Sequence, residues 1–430
     1  MARYTPETSA EIETIIKDAL LQKTPLKISG YGTKAGLGGQ VQASDELSLA
    51  GHKGITDYQP EELVMVARAG TLLAEIEEAL TQKGQMLAFE PPHLEGFYGT
   101  EHAGSLGGVI ACNLSGPRRI SAGAARDYLL GFDAVSGRAG YFRSGSKVMK
   151  NVTGYDLSKL MCGSFGMLAV MSEITLKVLP RPEYVASLSL ICASLAKAQS
   201  VLSAAFGSAT EPSGGAILAE AGGFVATIRL EGVKISVEDR LKSLSDLLAS
   251  FGDLSVKGQE ESNAFWANMR DISFLDKGAE QVWKLSVTPS LAPQIIAEIQ
   301  SIFDIEFGLD WAGGLIWLSG SGAGLGTHIR QVLAANGGGH ATLMRASDSL
   351  RDNQPVFQPL GEAIGGLQTR IKTAFDPENI LNPQRINLGG EADANADSGL
   401  LLDEVSMTPE RVSAKTTYTK QLILQGGAAV

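Results

Sequence analysis

Glycine placement constrains this chain more than any other feature. The chain has 50 glycines among 430 residues, and 13 of them fall within the first 170 positions in three runs: GYGTKAGLGG at 30–39, GSLGGVIACNLSGPRR at 104–119 and SGSKVMKNVTGYDLSKLMCGSFGMLAV at 144–170. Glycine lets the backbone turn through positive φ or approach another group with no Cβ between, so these runs read as loops that lie close to something. Two familiar phosphate loops are excluded. A dinucleotide fingerprint needs G-x-G-x-x-G opening a helix, and at 30–39 the third glycine falls one residue late with no helical period after it. No G-K-[ST] occurs. What remains at 30–39 is a loop whose amides can form an anion-binding concavity without a helix dipole. Taken alone, an ordinary glycine-rich hairpin is the plainer reading.

Between and beyond these runs, apolar periodicity places the regular elements. Residues 8–23 carry Ile12, Ile15, Ile16, Ala19 and Leu20 at helical spacing, and 26–29 reads as a short strand feeding the first run. Strands are predicted at 54–58, 63–68 and 85–88, with a helix at 71–82, an alternation that argues for an α/β region. A hairpin is predicted over 127–135 and 140–144, an amphipathic segment at 155–161 and a buried strand at 167–171. After Pro180 and Pro182 the composition changes, and 183–372 reads as strands at 185–192, 215–219, 224–230, 282–287 and 315–319. Helices fall at 195–206, 237–251, 293–302 and 329–335. The run GSGAGLG at 320–326 lacks the fingerprint register and reads as a flexible connection. A helix at 360–375 follows. Residues 391–398 are an acidic small-residue linker, and 416–425 has the pattern of a strand able to pair with a neighbouring edge.

Composition narrows the function classes. A formal charge of −11 with no basic block argues against a nucleic-acid surface. Three scattered cysteines, Cys112, Cys162 and Cys192, form neither a disulfide framework nor a metal or cluster motif, and read as buried thiols. The N-terminus lacks a secretion signal and no run of about 18 apolar residues spans a bilayer, so the expectation is a cytoplasmic protein, peripheral to a membrane only through partners. His93 and His102 read as surface histidines. His328 and His340 have no acidic residue between them, so acid–base machinery is not evident.

The runs SLGGVIACNLSGPRR at 105–119 and KVMKNVTGYDLSKL at 147–160, with FDPENILNPQR at 375–385, closely resemble the FAD-binding domain of the vanillyl-alcohol-oxidase (PCMH) type. Within that superfamily they look most like the E subunits of bacterial glycolate oxidases, a resemblance that runs to about residue 388. It implies an α+β fold: an FAD-binding domain of two α/β subdomains at 1–182, a smaller α+β cap domain at 183–372 and a segment at 373–388 returning to the FAD domain. Residues 389–430 would be an acidic linker and an extended tail available to a partner. By the same resemblance FAD is gripped at Ser29, Gly30, Tyr31, Gly32, Thr33 and Lys34 and, from the opposite side, at Gly104, Ser105, Gly107, Gly108, Ala111, Asn113, Gly116 and Pro117. A third wall comprises Lys150, Asn151, Gly154, Asp156, Gly163, Gly166, Leu168 and Val170, with Asn382 closing the site.

Many relatives carry in the first loop a histidine bonded covalently to the flavin. Tyr31 and Thr33 stand there, which implies non-covalent FAD. Lys147 and Lys150 read either as solvated lysines or as charge compensation near the pyrophosphate. For Arg118 and Arg119, pairing with carboxylates across a domain contact is favoured over phosphate. The implied partners are an FAD-containing catalytic D-type subunit and an iron–sulfur F-type subunit. The implied chemistry is oxidation of glycolate to glyoxylate. A self-sufficient 2-hydroxy-acid dehydrogenase and a structural subunit without cofactor are the alternatives.

Overall fold

The computed structural model describes residues 1–145, 155–220, 223–275 and 278–388. The predictions at Lys147, Lys150, Asn151 and Gly154, and for the tail beyond 388, lie outside these residues. Strands β1 (Arg3–Tyr4), β2 (Leu26–Ser29) and β3 (Asp45–Ser48) form a parallel sheet ordered β1-β3-β2. The helix Ser9–Gln22 joins β1 to β2; Thr8 caps it by accepting the Glu11 amide at 3.2 Å, and Ile12 and Ile16 are fully buried. That side-chain cap satisfies one of the four amides a helix start leaves unpaired.

Next come β4 (Ile55–Gln59), β5 (Val64–Arg68), β6 (Gln85–Met86), β7 (Leu129–Ser136), β8 (Tyr141–Gly145), β9 (Ala169–Lys177) and β10 (Leu179–Pro180). Five of them make an antiparallel sheet ordered β4-β5-β9-β7-β8, while β6 and β10 form a separate ribbon. The strand expected at 85–88 stops at Met86. The Glu90 amide bonds back to the Leu87 carbonyl and Glu90 takes φ 50°, so the chain turns and buries Phe89. The strand expected at 167–171 begins two residues later, because Phe165 and Gly166 hold left-handed conformations and the Met167 amide closes a turn onto Ser164.

The remaining strands are β11 (Tyr184–Cys192), β12 (Gly214–Glu220), β13 (Gly223–Gly232), β14 (Leu254–Lys257), β15 (Gln281–Ser286), β16 (Ile305–Asp310), β17 (Leu315–Gly320) and β18 (His340–Arg345). They form one sheet ordered β14-β11-β13-β12-β16-β17-β15-β18, antiparallel throughout. Successive side chains of a strand face opposite ways. Trp283, Leu285, Ile316 and Leu318 therefore share a core with helices Leu195–Phe206, Lys234–Leu248, Ala292–Gln300 and Leu325–Ala335. Val282, Leu315 and Trp317 on the other face belong to the core that contains the N-terminal sheets. Only part of 320–326 is a connection: Gly326 lies in helix Leu325–Ala335, where a Cβ would come within 2.6 Å of the Trp283 ring.

After β18 and the helix Glu362–Phe375 the chain returns to β2. The Leu26 amide bonds Ile380 at 2.7 Å and the Asn382 amide bonds Leu26 at 3.0 Å.

Candidate cofactor cleft

β2 delivers the chain into the 30–39 loop at the edge of an open cleft of about 860 Å³, counted out to its mouth. Ser29, Gly30, Tyr31, Gly32, Thr33 and Lys34 line one wall, Ser105, Gly107, Gly108 and Ala111 a second, and Gly166, Val170 and Asn382 a third. Three segments far apart in sequence thus share one space.

The first loop is held by two arginines, of which Arg385 also lines the cleft. Arg385 donates to the carbonyls of Lys34 at 2.6 Å, Ala35 at 3.2 Å and Gly39 at 3.2 Å, and Arg351 to those of Ala35 at 3.1 Å and Gly38 at 2.7 Å. With those carbonyls held, the amides of Tyr31, Gly32, Thr33 and Lys34 donate to no group among the described residues. Unsatisfied consecutive amides form an anion-binding concavity. The Lys34 ammonium reinforces it. It is 8% exposed, donates to the Ala103 carbonyl at 2.6 Å, and burial holds its pKa below the ordinary lysine value. Both arginines were missed in the sequence reading.

Glycine is required where the first two walls touch. A Cβ on Gly30 would lie 2.4 Å from Ser105 Oγ, and one on Gly104, at φ +89°, would lie 2.3 Å from Thr33 Oγ1. The second run is not wholly loop. Leu106–Ala111 forms a short helix, capped by Ser105 Oγ accepting the Gly108 amide at 3.3 Å. Gly107 lets it press on the end of β5, since a Cβ there would meet the Ala69 carbonyl at 2.8 Å.

The other predicted residues sit beside the cleft or away from it. Gly104 backs onto Thr33 and Lys34, and Leu168 is in the core. Asn113, at φ 49°, accepts the Arg126 amide at 3.2 Å and the Cys162 thiol at 3.4 Å, and Gly163 packs on it. Gly116 and Pro117 lie at the far end of the second run, where the Gly116 carbonyl accepts Trp311 Nε1 at 3.1 Å. Asp156 caps helix Leu157–Met161 through the Lys159 amide at 3.2 Å, with its side chain 51% exposed. None of these lines the cleft. Asn382 does, but its side chain is already committed: it accepts the Ile28 amide at 2.7 Å and donates to the Phe165 carbonyl at 2.8 Å, tying β2 to the third wall. Lys372 tightens the same seam through the carbonyls of Met167 at 2.7 Å and Leu381 at 2.9 Å and the carboxylate of Asp376.

His93 is not a free surface residue. Its Nε2 lies 2.8 Å from the Glu77 carboxylate and its Nδ1 3.1 Å from Arg270, while its amide donates to Asp271 at 2.8 Å. Glu77 is sixteen residues upstream, a partner invisible to local spacing. His102 accepts the Gly104 amide at 3.1 Å and sets its ring edge-on to Tyr31. No group of three or more potential metal ligands occurs among the described residues.

At the far end of the second run, a chain of charges joins the two cores. Arg229, 2% exposed, forms paired bonds to Glu90 at 2.8 and 3.0 Å, and Arg118 bridges Glu90 to Glu231. Burial pushes the Glu90 carboxyl up, but Arg229 and Arg118 outweigh it and hold the pKa below the usual range. Arg118 therefore makes the structural pairing favoured from sequence.

Residues 2–144 match the FAD binding domain family. The fold superposes on 4-ethylphenol oxidase from Gulosibacter chungangensis with a TM-score of 0.69 at 13% identity, and on p-cresol methylhydroxylase with 0.68 at 15%, each over 90% of this chain and 89% of the other. Fold and cleft together define an FAD-binding flavoprotein of the PCMH type. Within that class, 389 aligned residues covering 90% of this chain and 99% of the relative are 38% identical to glycolate oxidase subunit GlcE of Escherichia coli K12. The chain belongs to the GlcE family of glycolate oxidase subunits. A D-lactate dehydrogenase of Archaeoglobus fulgidus is 33% identical over 41% of this chain and 38% of its own.

Proposed function

We propose that this chain is the FAD-binding subunit of a glycolate oxidase complex, supporting oxidation of glycolate to glyoxylate beside a D-type catalytic flavoprotein and an iron–sulfur subunit. The observation that carries the cofactor reading is the set of unengaged amides from Tyr31 to Lys34, in residues that line the cleft, with a buried ammonium beside them. In this reading the amides and Lys34 hold the pyrophosphate, the helix Leu106–Ala111 closes on it from the other side, and Gly166 and Val170 floor the site. Bound FAD supplies the two-electron acceptor for alcohol oxidation. The protein's part is to place it, exclude water and balance charge. The two separate cores support division near Pro182, with the 373–388 segment returning to the first domain. No helix among the described residues is long and apolar enough to cross a membrane.

The cofactor is held non-covalently in this reading, since Tyr31 and Thr33 occupy the first loop and no histidine lines the cleft. The decisive measurement is the absorbance of the purified chain before and after acid precipitation. Flavin bands that move wholly to the supernatant support the proposal. A colourless chain that still assembles with its partners would instead favour a structural subunit. Co-purification with the other two subunits tests the complex.

A further inference from the structure

The face of the eight-stranded sheet turned toward the N-terminal core carries an uncommon row of polar side chains. Most have partners. Ser189 bonds Thr227 at 2.9 Å, Ser187 accepts Trp266 Nε1 at 3.0 Å, and Arg229 is paired with Glu90. Two neighbours on adjacent strands are different: Lys284 of β15 stands directly opposite Thr342 of β18, and neither side chain makes a hydrogen bond or salt bridge to a described residue. Directly opposed residues of antiparallel strands keep their side chains within about 5 Å of each other. Lys284 Nζ is 5.0 Å from the Trp311 ring and 5.9 Å from that of Trp317, its other cross-strand neighbour.

From the N-terminal side, Arg119 brings a guanidinium to 4.7 Å from the same Trp311 ring, again with no carboxylate bonded among the described residues. Two cations from two separately cored regions thus converge on one indole. The acids acting on them are bonded elsewhere: Asp310, beside Lys284, turns its carboxyl to the Trp311 amide at 2.7 Å, and Asp127, beside Arg119, accepts the Ala124 amide at 2.9 Å. Burial pushes the Asp310 pKa up to about 7, and burial with Arg119 pushes that of Lys284 down to about 8. The segment presenting the indole is strained: Trp311 and Ala312 have φ of 51° and 55°, conformations costly for residues with a Cβ. The Trp311 Nε1 bond to Gly116 fixes the ring against the end of the run whose beginning lines the cofactor cleft.

We propose that Lys284, Thr342 and Arg119 form a binding site for the carboxylate of a small organic acid beside Trp311. Three donors of two charges suit an anion with several acceptor oxygens, and the partial exposure of all three side chains leaves them open to solvent. Naming that acid as a 2-hydroxy acid or its 2-oxo product rests on the glycolate oxidase reading; the anion site itself rests only on the side chains.

The test uses the full chain and oxalate, a carboxylate without an oxidisable hydroxyl, followed by tryptophan fluorescence. The expected result is a saturable change in wild type, weakened about ten-fold or more in Lys284→Met and in Arg119→Met and retained within about three-fold in Lys284→Arg, as befits a charge-assisted contact. Thermal melting and flavin absorbance establish that each variant is folded and loaded, and Thr342→Val replaces any that is not. Absence of saturable binding in wild type, or an oxalate affinity unmoved in the folded Met variants, overturns the site. A yellow chain that ignores oxalate defeats the anion site alone; a colourless chain that binds it defeats the cofactor reading alone.

Discussion

The cofactor cleft and the junction beneath the eight-stranded sheet each hold a lysine with no carboxylate bonded to it among the described residues, and the contrast between them shows how a protein prepares for an anion in two ways. Lys34 donates to a carbonyl and belongs to a loop whose own carbonyls are clamped by Arg351 and Arg385, so its surroundings are fixed by neutral backbone groups. Lys284 stands over aromatic rings with a second cation nearby and an acid of raised pKa, so its surroundings are poised electrostatically. The first arrangement is organised by the backbone; the second depends on charge and therefore on pH.

The largest effect that separates them should come from the charge chain at the junction. Glu90→Gln leaves buried Arg229 with only the more distant Glu231 carboxylate at 3.7 Å, and removing one partner of a buried pair costs about 3 kcal/mol. Because the Glu90 pKa is depressed in the folded protein, its contribution is fully present above the ordinary carboxylate range. It disappears as pH falls through the depressed value. Denaturant melts should therefore show wild type well above the variant at pH 7 and the two converging in acid. Parallel curves at every pH would mean that the pairing contributes little.

Asp310→Asn should move stability the other way. With its folded pKa raised to about 7 from 3.8, Asp310 imposes a penalty that grows as pH rises from the unfolded value and is complete above the folded one. Asn keeps an oxygen for the Trp311 amide and cannot ionise. The variant should match wild type near pH 3 and exceed it above pH 7 by on the order of 2 kcal/mol. Loss of stability at pH 8 would show that the ionised acid is already well compensated by Lys284, and would weaken the contrast with the cleft.

Much of the cleft was legible because its signal is local. Glycine runs announce backbone approach, and the structure brings the first two together where Gly30 and Gly104 leave no room for a Cβ, with Gly166 of the third lining the same cleft. Helices such as Leu195–Phe206 were readable from period alone. What could not be read is held by distant partners: Arg351 and Arg385 reach carbonyls 316 and 350 residues upstream, and nothing near either residue announces it. The helix Leu106–Ala111 was hidden by its glycines, whose low propensity is overridden by the Ser105 cap and by close packing on Ala69. β14, β16 and β18 escaped for a related reason. β14 has only four residues, half of them exposed; β16 contains Gly308, required by the Phe274 ring; and β18 emerges from consecutive glycines. Of the junction charges, Arg229, Glu231, Lys284 and Asp310 lie on strands whose pairing order no local pattern reveals.

The clamp behind the first loop offers the next test of the comparison. Arg385→Met frees the carbonyls of Lys34 and Gly39, leaves that of Ala35 to Arg351, and takes one cation from the cleft lining while keeping the loop's own residues. If backbone order creates the anion concavity, FAD affinity should fall by roughly 10- to 100-fold, about 1.4 to 2.7 kcal/mol, read as recovery of flavin fluorescence on dilution. Oxalate binding at the junction should be untouched.

The smallest effect belongs to Lys34→Met. Removing the ammonium takes away one charge-assisted donor but leaves the amides of Tyr31, Gly32 and Thr33 in place, so FAD should bind about ten-fold more weakly. Stability of the cofactor-free chain should be unchanged or slightly raised, because burial already disfavours the charged amine and Met fills similar space. A variant that loses FAD altogether would place the lysine, rather than the backbone, at the centre of pyrophosphate binding. The two lysines would then do the same work, and the distinction between a backbone-built site and a charge-built one would fail.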